Sequence, residues 1–170
     1  MALPKLQSKQ YKVEVFTPQF LLSGVLEPVG SLMSYLNNVD RNNLSIKQVN
    51  ATPIEPAFSL PTFAAEELWL PHKELIAIRF LDAISSDTMP LLSNKEKVRV
   101  FLPHIVVQAT FSRGADTKIH EIFDVLLGDW VAAADAQIFP LHPMKCQFGR
   151  DAQRMLIIKR HIQFYQHINE

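Results

Sequence analysis

Two basic turns and a histidine near the only cysteine hold most of the side chains in this chain that could do chemistry. Ile158-Lys159-Arg160-His161-Ile162 sets three basic residues in succession between apolar ones. Cationic side chains gathered at a tight turn hold phosphate oxygens, and an imidazole beside them stacks on a base. His72-Lys73-Glu74 stands at a comparable place in the first half, where Glu74 partly cancels the charge and takes the position of His161. The competing reading of both is an ordinary exposed hairpin turn, which carries charge for solvation alone. His142-Pro143-Met144-Lys145-Cys146 puts a histidine four residues before the sole cysteine. Pro143 argues against a helix that would bring both to one face, and two ligands do not make a zinc site, so neither metal nor cofactor is expected. Cys146 as a nucleophile needs a basic partner that spacing does not supply. With five scattered glycines and no phosphate-cradling motif, no catalytic residue is assigned and a non-enzymatic protein is expected.

These groups belong to a chain that contains its own pattern twice. Lys12-Val13-Glu14-Val15-Phe16-Thr17-Pro18 returns 85 positions later as Lys97-Val98-Arg99-Val100-Phe101-Leu102-Pro103. After a two-residue slip near Gly30 the offset becomes 87 and holds, carrying Leu36 to Phe123, Leu44 to Val131, Pro53 to Pro140 and Leu75 to Ile162. A register kept over that length predicts two like units in tandem. Tyr11, Val13 and Val15 alternate with polar residues at the period of a half-buried strand, and Pro18 marks its turn. A second strand over 20–27 carries Gly24 in its interior, where a missing side chain permits a bend or a close backbone approach; Ala109 occupies the matching place. Ser31 is placed to cap a short helix over 31–38, and Asp116 or Thr117 to start another over 117–127 that Gly128 closes. Third strands over 44–54 and 130–141 meet Pro53 and Pro140 near their ends, where a lost ladder donor is tolerated. The fourth strand and its return, over 68–80 and 155–165, are split by the basic turns. Val13, Val15, Leu22, Leu26, Leu36, Ile46, Val98, Val100, Val107, Phe123 and Ile162 are expected to face inward.

The predicted organisation is a tail over 1–10, a first unit over 11–83, a linker over 84–96 and a second unit over 97–170. Of 170 residues, 48% are apolar and 20% charged, which is a globular balance. The formal net charge is zero, so no global field recruits nucleic acid, acidic substrate or membrane. A lone cysteine excludes an internal disulfide and fits a reducing compartment. With no signal-like apolar core and no membrane-length stretch, the expectation is a cytoplasmic protein without membrane partners. Charge is nevertheless split locally. Lys145, Arg150, Arg154, Lys159 and Arg160 make the last segment basic, after a stretch with Asp116, Glu121, Asp124, Asp129 and Asp135, and opposed patches steer docking. The Pro-Phe stretch over 56–63 is expected to cover a barrel or the seam between the units, or to serve as a partner-binding arm.

Five short bent strands with one small helix bury their edges and core together by curling into a small barrel. The expected fold class is therefore mainly β: two tandem Sm-like/SH3-like small β-barrels, each with one short α-helix. The Val-x-Val start, the interior Gly24 and the helix Ser31-Leu32-Met33-Ser34-Tyr35-Leu36-Asn37-Asn38 resemble a bacterial small-barrel family of unknown function related to Sm-like proteins. The resemblance covers 11–80 and, more loosely, 97–165. The segment around Lys159 and His161 is similar to the turn by which bacterial Sm-like RNA chaperones present basic side chains between their last two strands, with Arg160 inserted here. That resemblance implies a ligand site for single-stranded RNA at Lys159, Arg160 and His161, joined by His72 and Lys73. The Asp, Asn and Arg-Gly signature of Sm rings is not present as such, since Arg113-Gly114 falls in the wrong loop. Two function classes follow. One is a non-enzymatic interaction module that binds protein or self-associates, with Phe58, Leu60 and Phe63 at its partner interface. The other is a binder of single-stranded RNA, not DNA. Neutral charge and the half-neutralised first turn favour the first.

Overall fold

The alternation that begins at Tyr11 becomes strand β1 (Tyr11–Phe16), with Tyr11, Val13 and Val15 buried and Lys12 exposed. The computed structural model describes residues 8–38, 40–124 and 128–169. β2 (Phe20–Leu26) returns antiparallel, and Thr17 closes the turn by donating its hydroxyl to Phe20 O and accepting from Phe20 N. β2 then shifts register against β3 (Asn43–Pro53) between Ser23 and Val25. A Cβ at Gly24 would lie 2.6 Å from Ile46 Cγ2 and 2.7 Å from Lys47 O, so β3 passes too close for any side chain. Opposite this bulge Gln48 adopts φ 51°, a left-handed conformation that bends β3. Between the two strands sits α1 (Leu32–Leu36), whose cap Ser31 accepts from Ser34 N, as the residue order predicts. β4 (Phe63–Pro71), a 3-10 turn (His72–Glu74) and β5 (Ala77–Phe80) complete the first half.

The second half runs β6 (Asn94–Phe101), β7 (Ile105–Arg113), α2 (Ile119–Asp124), β8 (Trp130–Pro140), β9 (Asp151–Ile158), a 3-10 turn (Lys159–His161) and β10 (Phe164–His167). β7 shifts register against β8 between Gln108 and Thr110, and Asp135 takes φ 49°. The end of the helix expected over 117–127 falls on residues 125–127, which lie outside the described residues.

The ten strands of the described residues form one antiparallel sheet in the order β10-β6-β7-β8-β9-β5-β1-β2-β3-β4. The mainly β expectation holds. The halves meet where β5 pairs with β9, Ala77 opposite Ile157 and Ile78 opposite Leu156, leaving β4 and β10 as the end strands. Each hydrophobic core borrows across that seam. Phe16, Leu21, Ile54 and Ile76 pack with Val98, Val107 and Phe111, while Trp130, Leu156 and Ile158 pack with Val13, Leu26 and Leu36. No helix among the described residues is long and apolar enough to cross a membrane.

Some boundaries differ from the sequence reading for physical reasons. β4 starts at Phe63 rather than 68, because none of its side chains is buried and it therefore lacks the alternation that announces a strand. β6 starts at Asn94, inside the span read as linker, since its ladder with β7 extends to Asn94 opposite Arg113. Ile84 and Met89 are buried in the first core and fix the connection on either side of residues 85–88. Every residue expected inward is buried except Ile162, which follows a 3-10 turn and is only half-buried.

Candidate functional site

Both basic turns fold as single 3-10 turns, and the sheet sets them against each other. Antiparallel pairing of β5 with β9 brings the start of one beside the end of the other, and Ile158 N donates to Ile76 O. The Arg160 guanidinium then donates to His72 O, and His161 Nε2 meets Lys73 O at 3.1 Å. Arg160 also lies 4.0 Å from Asp129. Lys159, Arg160, His161, His72 and Lys73 thus share one place, yet the Arg160 guanidinium and the His161 ring face backbone carbonyls of the first turn. Burial pulls the Lys159 ammonium below its ordinary range and does the same to His161. His72 is lowered by burial first and by Arg160 second, and its Nε2 is buried without a hydrogen-bond partner among the described residues. Beside the turns lies a groove of about 610 Å³ whose walls include Asn37, Asn38, Asn42, Asn43, Arg41 and Arg160.

The side chains of the Pro-Phe stretch are part-exposed. Phe58, Leu60 and Phe63 are 39%, 47% and 39% exposed and belong to neither buried core, and Phe63 covers Phe20 at the edge of the first. The backbone of the stretch is nonetheless held by the second half. Lys145 Nζ donates to Phe58 O and Leu60 O, both at 3.0 Å, and Lys145 N donates to Ile54 O. Fixing the main chain while the side chains point outward leaves an apolar rim beside the end strand β4, where Phe63 stacks edge-to-face on Phe20. The end strands carry further exposed apolar residues: Trp69 on β4 is 62% exposed, and Phe164 on β10 is 58% exposed.

His142 does not meet Cys146. Cys146 is buried, and burial pushes its thiol up, away from the thiolate that a nucleophile needs. His142 Nε2 instead stands 2.7 Å from His104 Nδ1, and both lie 3.8 Å from Glu55 Oε1. Glu55 follows β3, His142 follows β8, and His104 occupies the β6–β7 turn with φ 70°. Spacing between 55, 104 and 142 forms no linear motif. The one sequence signal is that Glu55 and His142 stand at the same offset of 87, each just past a third strand.

Comparison of the chain with protein-family models, with curated proteins and with solved structures yields no match.

Proposed function

We propose that this chain is a non-enzymatic interaction module of two fused small barrels that assembles with further copies of itself through its end strands. One observation carries the reading: β5 and β9 join the halves, while β4 and β10 have no outer strand partner among the described residues. What supports two like units is that Val13 pairs with Gly24 and Phe80, and Val98 with Ala109 and His167, in the same relative register. Under the offset of 87, Leu68, Trp69 and Leu70 stand where Met155, Leu156 and Ile157 stand, and Phe164 and Tyr165 stand where Ala77 and Ile78 stand. At the internal seam those five residues are 0% exposed. Pairing β10 of one copy with β4 of the next would bury Phe164 and Trp69 in the same way. Each such burial contributes about 2 kcal/mol, and each ladder hydrogen bond about 1 kcal/mol. These gains offset the loss of translational freedom on binding and point to micromolar association. A head-to-tail contact of this kind closes into a ring if its rotation closes.

Light scattering behind size exclusion, over a concentration series, tests this. The expected outcome is growth from monomer to a defined multiple, abolished by Trp69→Glu or Phe164→Glu without loss of thermal stability. A monomer at every concentration overturns self-pairing, and assembly that survives both substitutions moves the interface to Phe58 and Leu60.

Single-stranded RNA binding is the second reading. It is favoured by the groove that gathers four asparagines with Arg41, Lys73 and Arg160, since amides read base edges and cations hold phosphate. Fluorescence anisotropy with oligo-U and oligo-A at low salt decides it. A Lys159→Ala/Arg160→Ala variant should bind more weakly and with a flatter salt dependence.

A further inference from the structure

We infer that Glu55, His104 and His142 form a site for a divalent transition-metal ion of the zinc class. The imidazoles are set for this by their outer nitrogens. His104 Nε2 lies 2.7 Å from Pro18 O, and His142 Nδ1 lies 2.8 Å from Pro143 O. A carbonyl oxygen only accepts, so each of those nitrogens carries the ring hydrogen. In the neutral rings His104 Nδ1 and His142 Nε2 are then both lone-pair donors, and they face each other at 2.7 Å. Glu55 Oε1 stands 3.8 Å from each. Three Lewis bases thus converge, and a backbone carbonyl fixes the tautomer and the aim of each ring, the support that metal-ligating histidines use.

The donor set selects the ion. Two imidazoles with one carboxylate suit Zn²⁺ or Co²⁺, whereas Ca²⁺ and Mg²⁺ take oxygen ligands. Bonds of about 2.0 to 2.1 Å in a tetrahedron hold two ligand atoms about 3.3 Å apart. The ring nitrogens therefore open by about 0.6 Å and the carboxylate closes by a similar amount on binding. Side chains of His142 and Glu55 are 32% and 41% exposed, which gives both motions room and the ion a route from solvent. His104, at φ 70°, sits in a conformation that costs a non-glycine residue and persists where its surroundings hold it. Because Pro18 and Glu55 come from the first half and both histidines from the second, the ion ties the halves together.

A proton shared by the two rings fits the same nitrogen separation, and the experiment separates the two cases. Full-length protein stripped with a chelator is titrated with Zn²⁺ by calorimetry and with Co²⁺ by visible absorption. The expected result is one ion per chain and the absorption bands of four-coordinate Co²⁺. Affinity falls about 100-fold in His142→Ala and at least about 10-fold in Glu55→Gln, and is unchanged in His120→Ala on α2. Thermal melts in chelator confirm that His142→Ala is folded, and the isosteric Glu55→Gln carries the test if it is not. Failure of the wild type to bind Zn²⁺ at micromolar concentration overturns the inference in favour of a shared proton. Binding that survives both His142→Ala and Glu55→Gln overturns it in favour of a site elsewhere.

Discussion

The Arg79 guanidinium donates to Glu14 Oε2 at 2.6 Å on β1 and, across the seam, to Asp151 O at 2.8 and 3.1 Å where β9 begins. Both charged side chains are only 13% exposed, so removing one strands the other in a poorly solvated place. Arg79→Ala is expected to lower stability by about 2 to 3 kcal/mol in chemical denaturation. Arg79→Lys should recover only part of that, since an ammonium lacks the rigid fork that makes three hydrogen bonds to two acceptors. A loss under about 0.5 kcal/mol for the alanine variant would mark the pair as an ordinary surface contact. Gly149 shares the constraint, because a Cβ there would collide with the guanidinium. This residue-level clamp acts on the same β5·β9 join that the tandem reading depends on.

The contact between the two 3-10 turns is expected to depend on pH, because each turn carries a histidine whose protonation burial opposes. Protonating His72 puts a charge on a part-buried ring whose Nε2 has no partner among the described residues, beside the Arg160 guanidinium. Burial opposes protonation of His161 as well. Both folded values lie below the ordinary 6.5, so between them and 6.5 the unfolded chain binds more protons. Stability therefore rises with pH through that window and is lost as the solution is acidified below about pH 6.5. Melting temperature should be level at neutral pH, fall toward about pH 5.5, and fall less steeply in His72→Gln. A wild-type curve that stays flat to that pH would mean the turns tolerate charged imidazoles and do not pack in solution as described.

Across the whole molecule the shared cores set the cooperativity. Trp130 belongs to the second half yet packs in the core of the first, and Phe16, Ile54 and Ile76 do the reverse. Neither half can unfold without exposing apolar surface of the other. Urea denaturation should therefore give one transition, coincident by tryptophan fluorescence and far-ultraviolet circular dichroism. Trp130 reports the seam, since Trp69 is already exposed. Two separated transitions would show that the β5·β9 join is weaker than either half.

What the sequence determined by itself is local. Alternation placed Val13, Val15, Val98 and Val100 inside, Ser31 announced its helix, and Gly24 marked the bulge where β3 crowds β2, because each follows from a residue and its near neighbours. The start of β4 stayed hidden because an end strand with no buried side chain has no pattern to read. Tertiary structure decided the rest. Pairing of Ile78 with Leu156 depends on burying two cores together, a gain that no window of sequence contains. The outward side chains of Phe58 and Leu60 depend on Lys145 holding their carbonyls from the other half. Glu55, His104 and His142 come from three separate connections, and only the fold brings them within reach of one another, since the distance along a chain says nothing of which loops meet when its sheet closes on a core.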